Sequence, residues 1–324
     1  MSDTNPLNEK RHFRVKILGN WCSSETLIKH YRMVNGGNCC WHNIEITSEN
    51  ENIDYYVIIN SPPGGEHYVP AQTIIFQMEP WIADPSKPWG VKTWGEWAAP
   101  DPTKFAKVFT HQTHLNNVEW HIDFPFYTMP VKPVEERQNK LAAICSEKNF
   151  DTGHILRNTF IKYVEEQQQE QQQEHQQEQQ QDNKIDVYGR QNYHGFKGYR
   201  GAVINENKYN VYASYKYCLA AENNSEHNYA TEKIWEAILC ESLCFYWGCP
   251  NLEEYIDSNA FVRLPLAEPA AALKIIEQAI NEDWWSARIG IIKEMKEKIL
   301  SKLAFFPLLE RTIAELEPKL SDIE

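Results

Sequence analysis

From Tyr215 to Ala237 the chain runs Tyr215-Lys216-Tyr217-Cys218-Leu219-Ala220-Ala221-Glu222-Asn223-Asn224-Ser225-Glu226-His227-Asn228-Tyr229-Ala230-Thr231-Glu232-Lys233-Ile234-Trp235-Glu236-Ala237. Tyr217 to Ala221 are the residues of a buried strand, which delivers Glu222 and Asn223 to its carboxyl end. A short polar loop follows, and a helix opens between Tyr229 and Lys233. In α/β proteins the carboxyl ends of parallel strands are where ligands sit. A helix start placed there offers unpaired backbone N–H groups and a positive dipole end to an anion. Lys233 breaks the local rule, because the dipole favours acidic groups in the first turn, and that makes it a functional candidate.

Working outward, the same alternation of short β-branched or aromatic runs with amphipathic stretches recurs on both sides, the pattern of an α/β fold with parallel sheets. Upstream, strands are predicted over Phe13 to Leu18, Asn43 to Thr47, Tyr55 to Asn60, Thr73 to Met78 and Lys107 to Thr110, with a helix from Ser24 to Met33. Downstream, strands are predicted over Leu141 to Cys145, Lys184 to Tyr188, Leu243 to Trp247 and Phe261 to Leu264, with helices from about Gly153, over Thr231 to Cys240 and over Pro269 to Asn281. The proline-rich passage Phe124 to Pro133 can continue neither a helix nor a central strand. A boundary there divides the chain into lobes 1–133 and 134–300 with a cleft between them, and a helical end at 301–324. Glu165 to Asp182 holds only Gln, Glu, one His and one Asp. With no apolar face to bury, it reads as a solvated helical extension or a disordered, dispensable insertion.

Composition bounds the function. Acidic residues outnumber basic ones 45 to 32, for a net charge of −13, so the whole chain offers no footprint for nucleic acid. No apolar run approaches the ~20 residues of a membrane helix. The polar N-terminus lacks the features of a signal peptide, which predicts a cytoplasmic protein. The eight cysteines form no Cys-x-x-Cys pair and read as reduced, mostly buried thiols. His111, His114 and His121 form the best metal alternative, but three histidines in a loop-like stretch are more often packing or surface groups, and no metal site is expected.

The 215–237 stretch also resembles the signature of the α-1,3/1,4-fucosyltransferases, the family 10 glycosyltransferases. Tyr215-Lys216-Tyr217, Glu222-Asn223 and Tyr229-Ala230-Thr231-Glu232-Lys233 match its spaced elements in order, and Leu243 to Pro250 looks like the strand and turn that follow. Upstream, Ile155 to Phe160 resembles the family's arginine-bearing helix start, and Ile185 to Gly189 its Val-Asp-x-x-Gly strand. The similarity is clear over roughly 141 to 265 and faint before it. It implies a GT-B fold of two Rossmann-like lobes, an acceptor-binding N-terminal lobe, a C-terminal lobe holding GDP-fucose, and inverting transfer to a hydroxyl of an N-acetylhexosamine-containing glycan or glycoconjugate.

Carried over residue by residue, the resemblance sets Arg157 and Lys233 toward the pyrophosphate, and Glu232 and Asn223 toward sugar or nucleotide hydroxyls. Glu222 and Tyr229 join the donor-binding set, with capping of a turn and packing of the loop as their alternatives. Two fixed cations and a helix start can stabilise the charge that builds on the departing GDP, so no cofactor is obligatory, although a divalent ion held by the pyrophosphate can assist. The base that takes the acceptor proton is assigned to Glu79, at the carboxyl end of the strand Thr73 to Met78. Trp81, first of the group Trp81, Trp89, Trp94 and Trp97, is the candidate stacking surface for the acceptor. The rival readings are a transferase of this fold with another nucleotide sugar, and a glycan-binding protein that has lost turnover.

Overall fold

The computed structural model describes residues 11–34, 37–79, 95–111, 132–174, 184–203 and 208–320. The chain divides into two compact units, Met1–Asn116 with Leu308–Glu324, and Asn117–Pro307.

In the first unit, β1 (Phe13–Gly19) leads through α1 (Ser24–Val34) to the hairpin of β2 (Cys40–Trp41) and β3 (Ile44–Thr47), followed by β4 (Tyr55–Ile59), β5 (Thr73–Gln77) and β6 (Lys107–Thr110). The sheet order is β2-β3-β1-β4-β5-β6, parallel except for the two-residue pairing of β2 with β3. Every residue of β4 and β5 is buried, as expected of parallel strands covered on both faces. From β1 the chain steps to β3 on one side, and from β4 to β5 and β6 on the other. The order therefore reverses between β1 and β4, which opens a crevice at their carboxyl ends.

In the second unit the strands are β7 (Gln138–Ile144), β8 (Ile185–Gly189), β9 (Tyr199–Ala202), β10 (Tyr215–Ala221), β11 (Leu243–Trp247) and β12 (Phe261–Arg263), in the all-parallel order β12-β11-β10-β7-β8-β9. The helices are α2 (Thr152–Glu174), α3 (Lys208–Tyr212), α4 (Glu232–Leu239), α5 (Pro269–Asn281) and α6 (Trp284–Lys298). The crossover through α2 carries the chain from β7 to β8, and that through α4 carries it from β10 to β11 in the opposite direction. Right-handed crossovers then place α2 and α4 on opposite faces, and the carboxyl ends of β7 and β10 become the switch point of this sheet.

The last helix, α7 (Phe305–Leu320), completes the first unit. Leu308, Leu309, Ile313 and Leu316 are buried, and two of its carboxylates are taken up by the sheet unit. Glu317 accepts from Arg11 at 3.0 Å and from the Tyr55 hydroxyl at 2.9 Å, while Glu310 accepts from Trp41 Nε1 at 3.1 Å.

Three features of the structure go beyond the sequence reading. The glycine-rich stretch 195–201 contains an edge strand, β9, held to β8 by backbone pairing that needs no apolar side chains. The chain from Trp284 to Leu320 forms two helices, broken at Ile299–Leu303 by a wider turn. The Gln/Glu tract is not dispensable at its start: Glu165 and Gln168 are buried, Glu165 Oε1 accepts the Gly198 N–H at 2.7 Å, and Gln168 Oε1 accepts the Lys184 N–H at 2.9 Å. These polar side chains satisfy backbone donors at the edge of the sheet, a burial that no hydrophobic pattern announces. Residues 175–182 of the tract lie outside the described residues.

Candidate donor site

β10 is central in its sheet and delivers Glu222 into a fully enclosed position, 0% exposed. Its carboxylate is saturated by the protein itself. Oε1 accepts the Thr231 N–H at 2.8 Å and the Tyr246 hydroxyl at 3.2 Å; Oε2 accepts the Thr231 hydroxyl at 2.6 Å and Lys233 Nζ at 3.2 Å. Gly248 makes room for it, because a Cβ there would stand 2.4 Å from Glu222 Cγ. Glu222 thus ties β10, β11 and the start of α4 together.

Lys233 sits between two carboxylates, 3.2 Å from Glu222 and 3.2 Å from Glu232. Burial works against its charge, but Glu232 and Glu222 outweigh burial and hold the ammonium protonated beyond the usual lysine range. Burial likewise opposes the charge on Glu232, and Lys233 and Lys208 hold its carboxyl well below the usual range. Thr231 stands at the N-cap of α4, yet its hydroxyl is turned to Glu222 and makes no capping bond. The first-turn N–H groups of α4 therefore lack the side-chain acceptor that a Thr ordinarily supplies, an arrangement suited to an anion from outside.

The second wall is the start of α2. The Gly153 N–H donates to the Asn223 carbonyl at 2.9 Å, and a Cβ on Gly153 would stand 1.7 Å from the Glu222 carbonyl oxygen, so only glycine allows α2 to approach β10 this closely. His154 is 2% exposed. Its Nδ1 accepts the Asp151 N–H at 3.3 Å, a reciprocal N-terminal capping bond made here by imidazole, and its Nε2 is 3.0 Å from Asn223 Oδ1. Burial, with the charges of Arg157 and Lys148, lowers its pKa to about 4, and the ring is neutral at physiological pH.

One turn on, Arg157 is 5% exposed; its Nε donates to Asn158 Oδ1 at 3.4 Å, and its Nη2 is buried with no hydrogen-bond partner. Among the described residues no carboxylate is paired with this guanidinium. Asn158 donates to Asn149 Oδ1 at 3.1 Å and lies 3.3 Å from His194 Nε2, joining the loops after β7 and β8 around the arginine.

The loop from Asn223 to Ala230 is pinned from beneath. Ser225 Oγ donates to the Gly248 carbonyl at 2.9 Å, the Asn228 N–H to Asn251 Oδ1 at 2.8 Å, and the Tyr255 hydroxyl to Asn228 Oδ1. Asn228 takes the left-handed conformation, φ 62°, and the following Tyr229 is buried.

Arg157, Glu222, Asn223, Tyr229, Glu232 and Lys233 all belong to the carboxyl edge of the second sheet. Sequence reasoning missed His154, although Asp151 three residues before it and the glycine between them mark a tight helix start.

Glu79 lies in the first unit, half-buried, just beyond β5. Its N–H is accepted by Gln77 Oε1 at 2.9 Å, and the preceding Met78 N–H by Asn60 Oδ1 at 2.8 Å. Asn60 itself is left-handed, φ 62°, at the end of β4. Gln77 also donates to the Trp97 carbonyl, and Trp97 packs against Tyr68 and Phe105. Trp81, Trp89 and Trp94 lie outside the described residues, as do His114 and His121. Among the described residues no helix is long and apolar enough to cross a membrane, and no three His, Cys, Asp or Glu side chains gather in a metal-binding group.

Residues 157–276 match the profile of glycosyltransferase family 10 (fucosyltransferase), C-terminal part. Relatives named GDP-fucose protein O-fucosyltransferase 3 align with the same chain. The zebrafish protein is 28% identical over 111 residues, which is 30% of this chain and 24% of that one; the Xenopus tropicalis protein is 37% identical over 51 residues, 16% and 11% of the two chains. The match spans a quarter or less of those relatives. Among solved structures, an α1,3-fucosyltransferase superposes with a TM-score of 0.51 at 14% identity over 94% of both chains. An α-glucosyltransferase in complex with UDP and a 13-mer DNA gives 0.56 at 9% identity over 94% of this chain and 99% of that one. At such identities the likeness speaks for the fold alone. The two parallel α/β sheets and these neighbours show a GT-B fold, and within its second unit residues 157–276 are similar to the C-terminal part of glycosyltransferase family 10 (fucosyltransferase).

Proposed function

We propose that this protein transfers fucose from GDP-fucose to an acceptor hydroxyl with inversion at the anomeric carbon. The observation that carries the reading is Arg157. A guanidinium buried without a counter-anion is costly unless an anion completes it, and here, with no carboxylate paired to it among the described residues, it stands at the topological switch point of the second sheet. A diphosphate supplies that anion. Lys233, already shared by two carboxylates, adds a positioned ammonium rather than surplus charge. As the acceptor oxygen bonds to C1 of fucose and the C1–O bond to GDP breaks, negative charge grows on the β-phosphate, where Arg157, Lys233 and the α4 N–H groups stabilise it. Glu79 takes the acceptor's proton.

The acceptor is the finer question. An N-acetylhexosamine-containing glycan follows from the α-1,3/1,4 signature, while the names of the curated relatives favour a hydroxyl on a protein. Calorimetric titration with GDP-fucose, GDP-mannose and UDP-sugars tests the donor. Release of GDP in the presence of N-acetyllactosamine-type glycans or of folded protein acceptors tests the rest. Failure of every guanine nucleotide to bind would overturn the donor site, and tighter binding of a UDP-sugar would move the reading to another transferase.

A further inference from the structure

We propose that His154 is a positioning residue that fixes the side-chain amide of Asn223 as a hydrogen-bond donor toward the bound nucleotide sugar. The inference rests on the donor-site reading and deepens it, by stating which chemistry Asn223 presents and what makes it do so.

The Asp151 backbone N–H points at His154 Nδ1 across 3.3 Å, so that nitrogen must carry the lone pair. In a neutral imidazole the proton is then on Nε2, and Nε2 must meet an acceptor. The atom 3.0 Å away on Asn223 is accordingly the carbonyl oxygen, Oδ1, and not the amide nitrogen. The ring cannot swivel, because it is 2% exposed, packed edge-on against Phe150 at 5.1 Å, and set in the first turn of α2. Asn223 cannot slide, because its own carbonyl accepts the Gly153 N–H at 2.9 Å.

With Oδ1 committed, the partly exposed side chain of Asn223 has only its NH₂ group to offer at the carboxyl edge of the sheet. That group recognises oxygen lone pairs, such as those of a phosphate or of a sugar hydroxyl, and rejects a ligand that presents N–H or O–H there. Were the amide reversed, its carbonyl would face the phosphate oxygens and repel them. The fold thus sets the polarity of a ligand contact through a residue that need not touch the ligand.

The full chain tests this with His154→Leu, His154→Gln, Asn223→Ala and Asn223→Asp, titrated by calorimetry with GDP and with GDP-fucose. Glutamine keeps an N–H where Nε2 was, and leucine keeps bulk without a donor. His154→Leu should weaken binding by about tenfold or more and His154→Gln by no more than about threefold, the span of one hydrogen bond to a charged group. Asn223→Asp should bind more weakly than Asn223→Ala, since a carboxylate replaces the donor. Loss with GDP assigns the contact to phosphate or ribose, and loss with GDP-fucose alone assigns it to the sugar. Equal binding by wild type and His154→Leu, or equal losses for leucine and glutamine, would overturn the proposal while leaving the donor site standing.

Absence of guanine-nucleotide binding in wild type would remove the donor reading first, and the proposal with it. A ligand-free check keeps the two apart. Long-range ¹H–¹⁵N spectra of histidine-labelled protein, assigned with the His154→Gln variant, should report the Nε2–H tautomer for His154, and the Nδ1–H tautomer would refute the geometry directly.

Discussion

Glu222 and Lys233, eleven residues apart in the chain, meet across 3.2 Å with the carboxylate wholly buried. This pairing explains how a lysine survives in the first turn of α4, where the helix dipole opposes it. Glu222 and Glu232 together carry two negative charges against its one positive charge. The surplus positive charge of the site therefore resides on Arg157, across the switch point on α2. Two cations that look equivalent in the sequence differ in their surroundings, one held between two carboxylates and the other with no carboxylate paired to it among the described residues.

The unpaired guanidinium predicts a trade between stability and binding. Arg157→Met removes a buried charge without breaking an ion pair, so the urea midpoint should hold or rise. GDP affinity should fall by about 1.5–3 kcal/mol, roughly 10- to 150-fold, the value of a hydrogen bond to a charged group. Arg157→Met with unaltered GDP affinity would place the diphosphate elsewhere.

Lys233→Ala should behave oppositely. It deprives Glu222 and Glu232 of a shared partner, and stability should fall by about 1–3 kcal/mol together with GDP affinity. Denaturant unfolding and calorimetry on the same preparation separate the two. A variant that loses GDP binding at full stability would contradict the scaffold role.

Glu79→Gln preserves the shape of the turn held by Asn60 and Gln77. GDP-fucose affinity should stay at the wild-type level while transfer slows by about two to four orders of magnitude, the range of general-base catalysis. A near-normal rate would remove Glu79 from the chemistry.

Stability should also depend on pH through His154. Its pKa is lowered to about 4 by burial first, then by Arg157 and Lys148, with Lys233 adding a little and the Asn223 bond working the other way. The unfolded chain takes up this proton near pH 6.5 and the folded one only near pH 4. The contribution is therefore fully present above the unfolded value and is lost as pH falls through that window. In urea unfolding at about pH 7 and about pH 5, wild type should lose more stability than His154→Gln, which carries no titrating group there. Equal losses would mean that His154 is not held neutral.

Much of the architecture is legible in the amino-acid sequence. The strands at Phe13, Tyr55, Thr73, Lys107, Tyr215 and Leu243 begin within a residue or two of where pattern placed them, because parallel strands buried on both faces must be continuous apolar runs. The pieces that escaped are held by backbone or polar groups: the edge strand β9, the hairpin strand β2, and the Glu165 and Gln168 anchors. None of these leaves a hydrophobic period.

At the site, spacing alone brought Glu222, Asn223, Glu232 and Lys233 to one sheet edge, since a strand, a loop and a helix start in that order can do little else. Their division of labour was decided by tertiary structure. Whether a carboxylate is saturated, a guanidinium unpaired or an imidazole tautomer locked depends on groups brought from distant positions, as with Tyr246 on Glu222 or Asp151 and Asn223 on His154. Sequence determines which residues arrive together, because chain connectivity and hydrophobic burial are local and periodic. Only the folded contacts determine which polar atoms remain unmet, because hydrogen-bond satisfaction is a property of the assembled neighbourhood and not of any stretch within it.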